Sequence, residues 1–165
     1  MPNCAEQVRG PTRNRRLIVN DPVPRALALA AAAFRVLWAS PCSMAGIALA
    51  LPVLASGGTA RRVGPAIEVV VHRDALPGRS PLRLLPFAAI TFGHVIVALS
   101  GRQLAALRAH EHVHVRQYEA LGPLFFPAYA AASLVALVRG RCPYAGNAFE
   151  VQACRKSAST GVPEA

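Results

Sequence analysis

Between Arg35 and Arg61 the chain carries no charged residue. That run exceeds the roughly 20 apolar residues needed to cross a bilayer. The chain must bury it against a core of its own or hand it to lipid. Ser40-Pro41 breaks the run early and Pro52 falls late, and many of its residues are the weakly hydrophobic Ala, Ser and Gly. One reading is a membrane-embedded segment. The other is a pair of packed helices, with Ser40 as an N-cap and Pro41 at the first helical position. A cleaved signal peptide fits poorly, because about 25 residues precede the apolar stretch where a short basic region is usual.

The residues around the run divide the rest of the chain. Residues 1–25 are polar and rich in Arg and Pro, and they read as a flexible basic arm. Residues 26–60 form the hydrophobic helical segment, residues 61–158 a folded domain and residues 159–165 a polar tail. Five arginines (Arg9, Arg13, Arg15, Arg16 and Arg25) precede the run, and Arg61, Arg62 and Arg73 follow it. That asymmetry favours an inside amino terminus.

With 165 residues and 53% apolar content the chain can bury one real core, which excludes wholesale disorder. The net charge is +10, and every basic residue except Lys156 is arginine. No helix carries a regular Arg stripe, and the basic residues are not interleaved with aromatics, so no specific nucleic-acid binding is expected. Cys4, Cys42, Cys142 and Cys154 are scattered without a CxxC pair. At most they allow one bridge, between Cys142 and Cys154.

Ala66–His72 is rich in β-branched residues and bounded by turn signals, so it reads as a strand. Phe87–Phe92 and Val95–Leu99 flank Gly93-His94, which predicts a tight hairpin or bulge. Gly101–Tyr118 has helical spacing and stops at Gly122-Pro123. Leu124–Val138 is a buried helix, too short for a span, with Pro127 in its first turn and Gly140 just past its end. Asn147 looks like the N-cap of a last helix, Ala148 to about Ala158.

The chemistry lies in His110-Glu111-His112-Val113-His114, an H-E-x-x-H pattern. On a helix His110 and His114 lie one turn apart on one face, so both imidazoles can bind a single ion. Zinc suits neutral imidazole and tolerates an open coordination position. Glu111 sits about 100° round from His110, where it can address a water at the metal without occupying the metal. His112 lies about 200° round and faces away, as a structural or solvated residue. His72 and His94 read as ordinary polar positions, although His94 precedes the strand nearest the motif.

Two histidines need a third protein ligand, and Glu119, Glu150 and Glu164 lie downstream. Glu119 projects from the opposite side of the same helix, and Glu164 falls in the tail. Glu150 is the candidate that remains. Its competing role is that of the N3 partner in a capping box with Asn147, and the two roles can coexist. Gln117 continues the histidine face as a group able to orient a ligand, and Asn147 holds the start of the Glu150 helix. Tyr118 reads as packing, while Tyr129 and Tyr144 are candidate oxyanion donors.

Ala89-Ile90-Thr91-Phe92-Gly93-His94-Val95-Ile96-Val97, followed by Leu107 to Gln117 around the motif, resembles the bacterial zincin-like domain of unknown function. So does the downstream Pro143-Tyr144-x-x-Asn147-x-Phe149-Glu150-x-x-Ala153, the kind of segment in which glutamate-type zincins keep their third ligand. The likeness covers roughly residues 86–155. It implies zinc held by His110, His114 and Glu150, with Glu111 as general base, in a peptidase of unknown substrates. His112 stands where the family has an apolar residue.

The expectation is therefore an α+β domain, in which a small sheet backs the active-site helix and further helices, anchored by an apolar amino-terminal segment. Its reaction would be zinc-dependent hydrolysis of a peptide or protein substrate, which the strand at Val95–Leu99 could hold by edge pairing. The expected location is membrane-associated, or otherwise cytoplasmic. The rival is a non-catalytic, membrane-associated protein that binds metal for structure only. Arg108 and Arg116 flank the motif and argue against placing its helix in lipid.

Overall fold

The computed structural model describes residues 22–71 and 88–159. Most of the basic arm, His72, the connector after it, Glu164 and the final tail lie outside these residues.

The charge-free run is one helix, α1, Pro22–Ala55, with Pro41 and Pro52 inside it. The expected break at Ser40-Pro41 does not occur, and Ser40 is not an N-cap. Pro41 has no N–H to donate to the carbonyl of Leu37, one turn back. The Ser40 hydroxyl donates to that carbonyl instead, at 2.7 Å, so the helix loses little by continuing. The helix also begins at Pro22, ahead of the change in composition at Ala26.

Strands β1 (Thr59–Val63), β2 (Ala66–Val70), β3 (Ala89–Phe92) and β4 (Val95–Ala98) form one sheet in the order β1-β2-β4-β3. β2 and β4 run parallel, and the outer pairs are antiparallel. β1 escaped the sequence reading because its residues Thr59 to Arg62 are exposed and show no apolar alternation. The Gly64-Pro65 turn is what pairs it with β2. The expected tight turn at Gly93-His94 does join β3 to β4, with Gly93 at φ +59°. β4 is central, however. The edges among the described residues are β1 and β3, so edge pairing at Val95–Leu99 is ruled out by strand order.

The sheet is apolar on both faces because it is covered on both. Val69, Val95 and Val97 pack with Ala50 and Val53 of α1. Ile96 and Ala98, alternating with them, pack with Leu104 and Val115 of α2, Gly101–Leu121. The layers form an α+β fold with the long apolar helix on one face of the sheet. α1 reaches the sheet through small residues. A Cβ at Gly46 would lie 2.7 Å from the Val95 Cβ and 2.8 Å from the Phe92 carbonyl oxygen, so no larger residue permits this approach.

The other side of α1 is apolar and exposed, with Leu37, Met44 and Leu51 at 60% exposure or more. At about 100° per residue, Arg35 projects within roughly 20° of Gly46, on the domain side. The outward stripe from Val36 onward thus carries no charge. Two helical stretches, Pro24–Ala55 and Gly101–Val138, are long and apolar enough to cross a membrane by length and composition.

α2 starts at Ser100, whose hydroxyl accepts the Gln103 N–H, and ends at Gly122, φ +53°. A short 3-10 turn leads into α3, Phe125–Val138. α4, Ala148–Ser159, is capped by Asn147, whose side-chain oxygen accepts the Phe149 N–H at 2.9 Å. The Asn147 amide donates to the Tyr129 carbonyl and to Ser133, which fastens α4 to α3. Its backbone N–H goes to the Tyr144 carbonyl. No capping box forms, and Glu150 is left to face elsewhere. Cys142 and Cys154 are free thiols, so the bridge between them is absent.

Two polar clusters hold the layers in register. His94 is buried and lies between α1 and α2. Its Nδ1 lies 3.1 Å from the Ser43 hydroxyl of α1, and its Nε2 lies 3.5 Å from Glu119 of α2. On the sheet's other face, Arg108 donates two hydrogen bonds to the buried Glu68 of β2, at 2.8 and 3.1 Å. His112 lies 3.4 Å from the same carboxylate, which gives this outlier of the motif its structural role. Burial works against ionising Glu68, but Arg108 and His112 outweigh it and hold its carboxyl below the usual range. A depressed folded-state pKa stabilises the fold above the unfolded value, and that contribution is lost as pH falls through the folded one. Glu68→Gln is therefore expected to cost about 1.5–3 kcal/mol at neutral pH, nearer the lower figure because Arg108 is 37% exposed. In urea titrations the gap from wild type should close as the pH drops below 4.5.

Candidate metal centre

α2 presents His110 and His114 on one face, and the first turn of α4 presents Glu150 to them. The two Nε2 atoms lie 3.1 Å apart. The Glu150 carboxylate lies 3.2 Å from His110 Nε2 and 3.4 Å from His114 Nε2. The two short carboxylate distances are to different oxygens, and one donor atom from each of the three residues lies within 4.8 Å of the others, close enough for a small shift to bring all three onto one ion. Glu150 Oε2 is buried and makes no hydrogen bond, a loss that an ion would remove. This His-His-Glu group can hold a metal ion.

Its donors are oriented from behind. Gln117 gives its amide N–H to the Phe149 carbonyl and to Gln152, which turns its oxygen toward His114 Nδ1 at 2.8 Å. That oxygen can only accept, so the proton sits on Nδ1 and the lone pair of Nε2 points at the centre. Tyr129 donates its hydroxyl to Glu150 Oε1 at 2.7 Å. Its place is thus beside the carboxylate ligand, not at an oxyanion. Burial opposes ionising Glu150, but the His110 and His114 imidazoles beside it and the Tyr129 hydroxyl hold its carboxyl well below the ordinary range. Burial likewise opposes charging His114, and its bonds to Glu150 and Gln117 reverse the balance and raise it. Protons therefore compete with a cation for His114 as the pH falls.

No protein-family model, curated protein or solved structure matches the chain. What the site can do must be argued from its own side chains.

Glu111 is buried and receives a 2.6 Å hydrogen bond from the Thr91 hydroxyl of β3. It shares one cavity of about 830 Å³ with His110, His114 and Glu150. Tyr144 also lines this cavity. It is 63% exposed; its partial desolvation and the Glu150 charge push its hydroxyl up to about 12, and it is a donor at neutral pH. Tyr118 is buried against Phe125, ring centres 4.2 Å apart, and packs as expected. Glu119 and His94 pair with each other and take no part in the group.

Two contributors escaped the sequence reading. Thr91 stands in the sequence only within the strand segment Phe87–Phe92, because its contact with Glu111 spans two elements. Cys154 lies 3.8 Å from His110 Nδ1. The signal for it was available, since it stands one helical turn beyond Glu150 and so shares its face.

Proposed function

We propose that the chain is a zinc-dependent hydrolase of peptide bonds, seated on a membrane through α1. The observation that carries this reading is the convergence of His110, His114 and Glu150 in the same cavity as a buried carboxylate, Glu111, that belongs to no ligand set. Two imidazoles and one carboxylate, with one donor atom from each within 4.8 Å of the others, favour zinc. Calcium prefers oxygen ligands at about 2.3–2.6 Å. A structural zinc site is closed by four protein ligands, whereas all three ligands here line an open cavity. That favours catalysis over a purely structural metal.

Zinc held there would act as a Lewis acid and bring the pKa of a coordinated water toward about 7. Glu111, fixed by Thr91, takes the proton of the attacking water and returns it to the leaving amine. Tyr144, protonated at neutral pH, donates to the oxygen of the carbonyl under attack. The edge of β3 supplies backbone groups for pairing with an extended substrate. The charge-free outer face of α1 and the +10 net charge suit a surface of anionic lipid.

One experiment addresses the whole reading. Full-length chain on vesicles of mixed neutral and anionic phospholipid should sediment with them and cleave a pooled library of quenched peptides. Chelation should abolish cleavage, and one equivalent of zinc should restore it. Cleavage that persists under chelation, or its absence with zinc bound, contradicts the proposal.

A further inference from the structure

We infer that Cys154 is a modification site that controls the metal centre: a small disulfide converts its thiol to a mixed disulfide, and His110 then holds a metal ion less well. The inference needs the His-His-Glu group to bind metal. It does not need the chain to cleave peptides.

The two imidazoles are held from behind by different chemistry. His114 Nδ1 faces the Gln117 oxygen at 2.8 Å, and that amide is itself fixed by the Phe149 carbonyl and Gln152. His110 Nδ1 faces the Cys154 sulfur at 3.8 Å. With Nε2 turned to an ion, a neutral imidazole carries its proton on Nδ1, and the sulfur is placed to accept it. An outer partner of this kind fixes the ring of a metal-ligating histidine. Glu150, one helical turn before Cys154, points independently to a ligand here. It is buried, and its Oε2 lies 3.2 Å from His110 Nε2 with no hydrogen-bond partner.

Cys154 is also within reach of a reagent. It is an exposed free thiol that lines the cavity together with Tyr144. Cys42 is buried, and Cys142 is exposed but is not among the residues that line the cavity. In the exchange, the Cys154 sulfur bonds to one sulfur of the small disulfide, whose own S–S bond breaks. The other half leaves as a thiol, reduced and carrying the Cys154 proton, while Cys154 is oxidised. An excess of small thiol reverses the step. The new bond is about 2.05 Å long and sets a C–S–S–C dihedral of about 90°. A second sulfur does not fit between Sγ and a ring nitrogen 3.8 Å away. The added chain therefore leaves sideways across the cavity, and Sγ turns its lone pairs off the His110 N–H.

The test uses the full-length chain with Cys4→Ser and Cys142→Ser, which keeps Cys154 and the buried Cys42. Hydroxyethyl disulfide is added in excess, the protein is desalted, and mass spectrometry of its peptides locates the adduct. Competition with a chromophoric chelator then reads zinc affinity. The adduct is expected on Cys154, with zinc bound about 10- to 100-fold more weakly than by the reduced protein. Reduction by a phosphine, followed by desalting, should restore the affinity in full. Cys154→Ser in the same background should bind zinc equally before and after treatment. Unchanged affinity of the adduct, no adduct at Cys154, or an equal loss in the Cys154→Ser protein overturns the inference and leaves the metal site standing. The expected pattern in a protein whose reduced, zinc-loaded form cleaves no peptide supports the inference and overturns the hydrolase reading. No zinc binding by the reduced protein overturns both.

Discussion

Glu111→Gln is expected to leave zinc stoichiometry unchanged and to lower the turnover of a quenched peptide by about 10²- to 10⁴-fold. The two side chains have nearly the same shape. Thr91, which donates to Glu111 at 2.6 Å, can donate equally to an amide oxygen, so the packing around position 111 is preserved. What is lost is the ability to take a proton. Metal analysis and turnover measured on the same preparation separate the two effects. Unchanged turnover would mean that Glu111 is not the base, and the rival reading of a metal held for structure would gain.

Glu150→Ala should weaken zinc binding by more than the 10- to 100-fold that loss of an outer partner typically costs, because it removes a ligand itself. Two imidazoles on one helical face remain, with their Nε2 atoms 3.1 Å apart and no carboxylate across from them. The Tyr129 hydroxyl also loses its acceptor, so some loss of fold stability, about 1–3 kcal/mol, should accompany it. Tyr129→Phe separates the contributions, since it removes the orienting bond and keeps the ligand. Competition with a chromophoric chelator reads both variants. Zinc affinity of Glu150→Ala equal to wild type would remove Glu150 from the site.

Much of the site was legible because its signals are local. A four-residue spacing puts two histidines on one face of a helix wherever that helix sits. The N-cap at Asn147 and the carboxylate three residues on come from the same kind of reading. The rest depends on what meets across elements. Strand order cannot be read from β-branched runs, so the expected edge at β4 is a central strand, and the edges are β1 and β3. β1 carries Arg61 and Arg62 on an exposed outer strand, where no alternation marks it. Pro41 signals a break, and only the Ser40 hydroxyl at the Leu37 carbonyl explains why none follows. The partners of His94 and His112 are hidden for a similar reason, although the outward, structural role of His112 is legible from its helical angle. Each answers a buried carboxylate or hydroxyl more than 40 residues away in the chain.

Anomalous diffraction at the zinc edge from crystals of the zinc-loaded chain tests the central claim most directly. The account predicts one peak per chain, about 2.0–2.2 Å from His110 Nε2, His114 Nε2 and a Glu150 carboxylate oxygen, with a side open to the cavity beside Glu111. A peak bound by other residues, or a Glu150 carboxylate turned away from the ion, would contradict it.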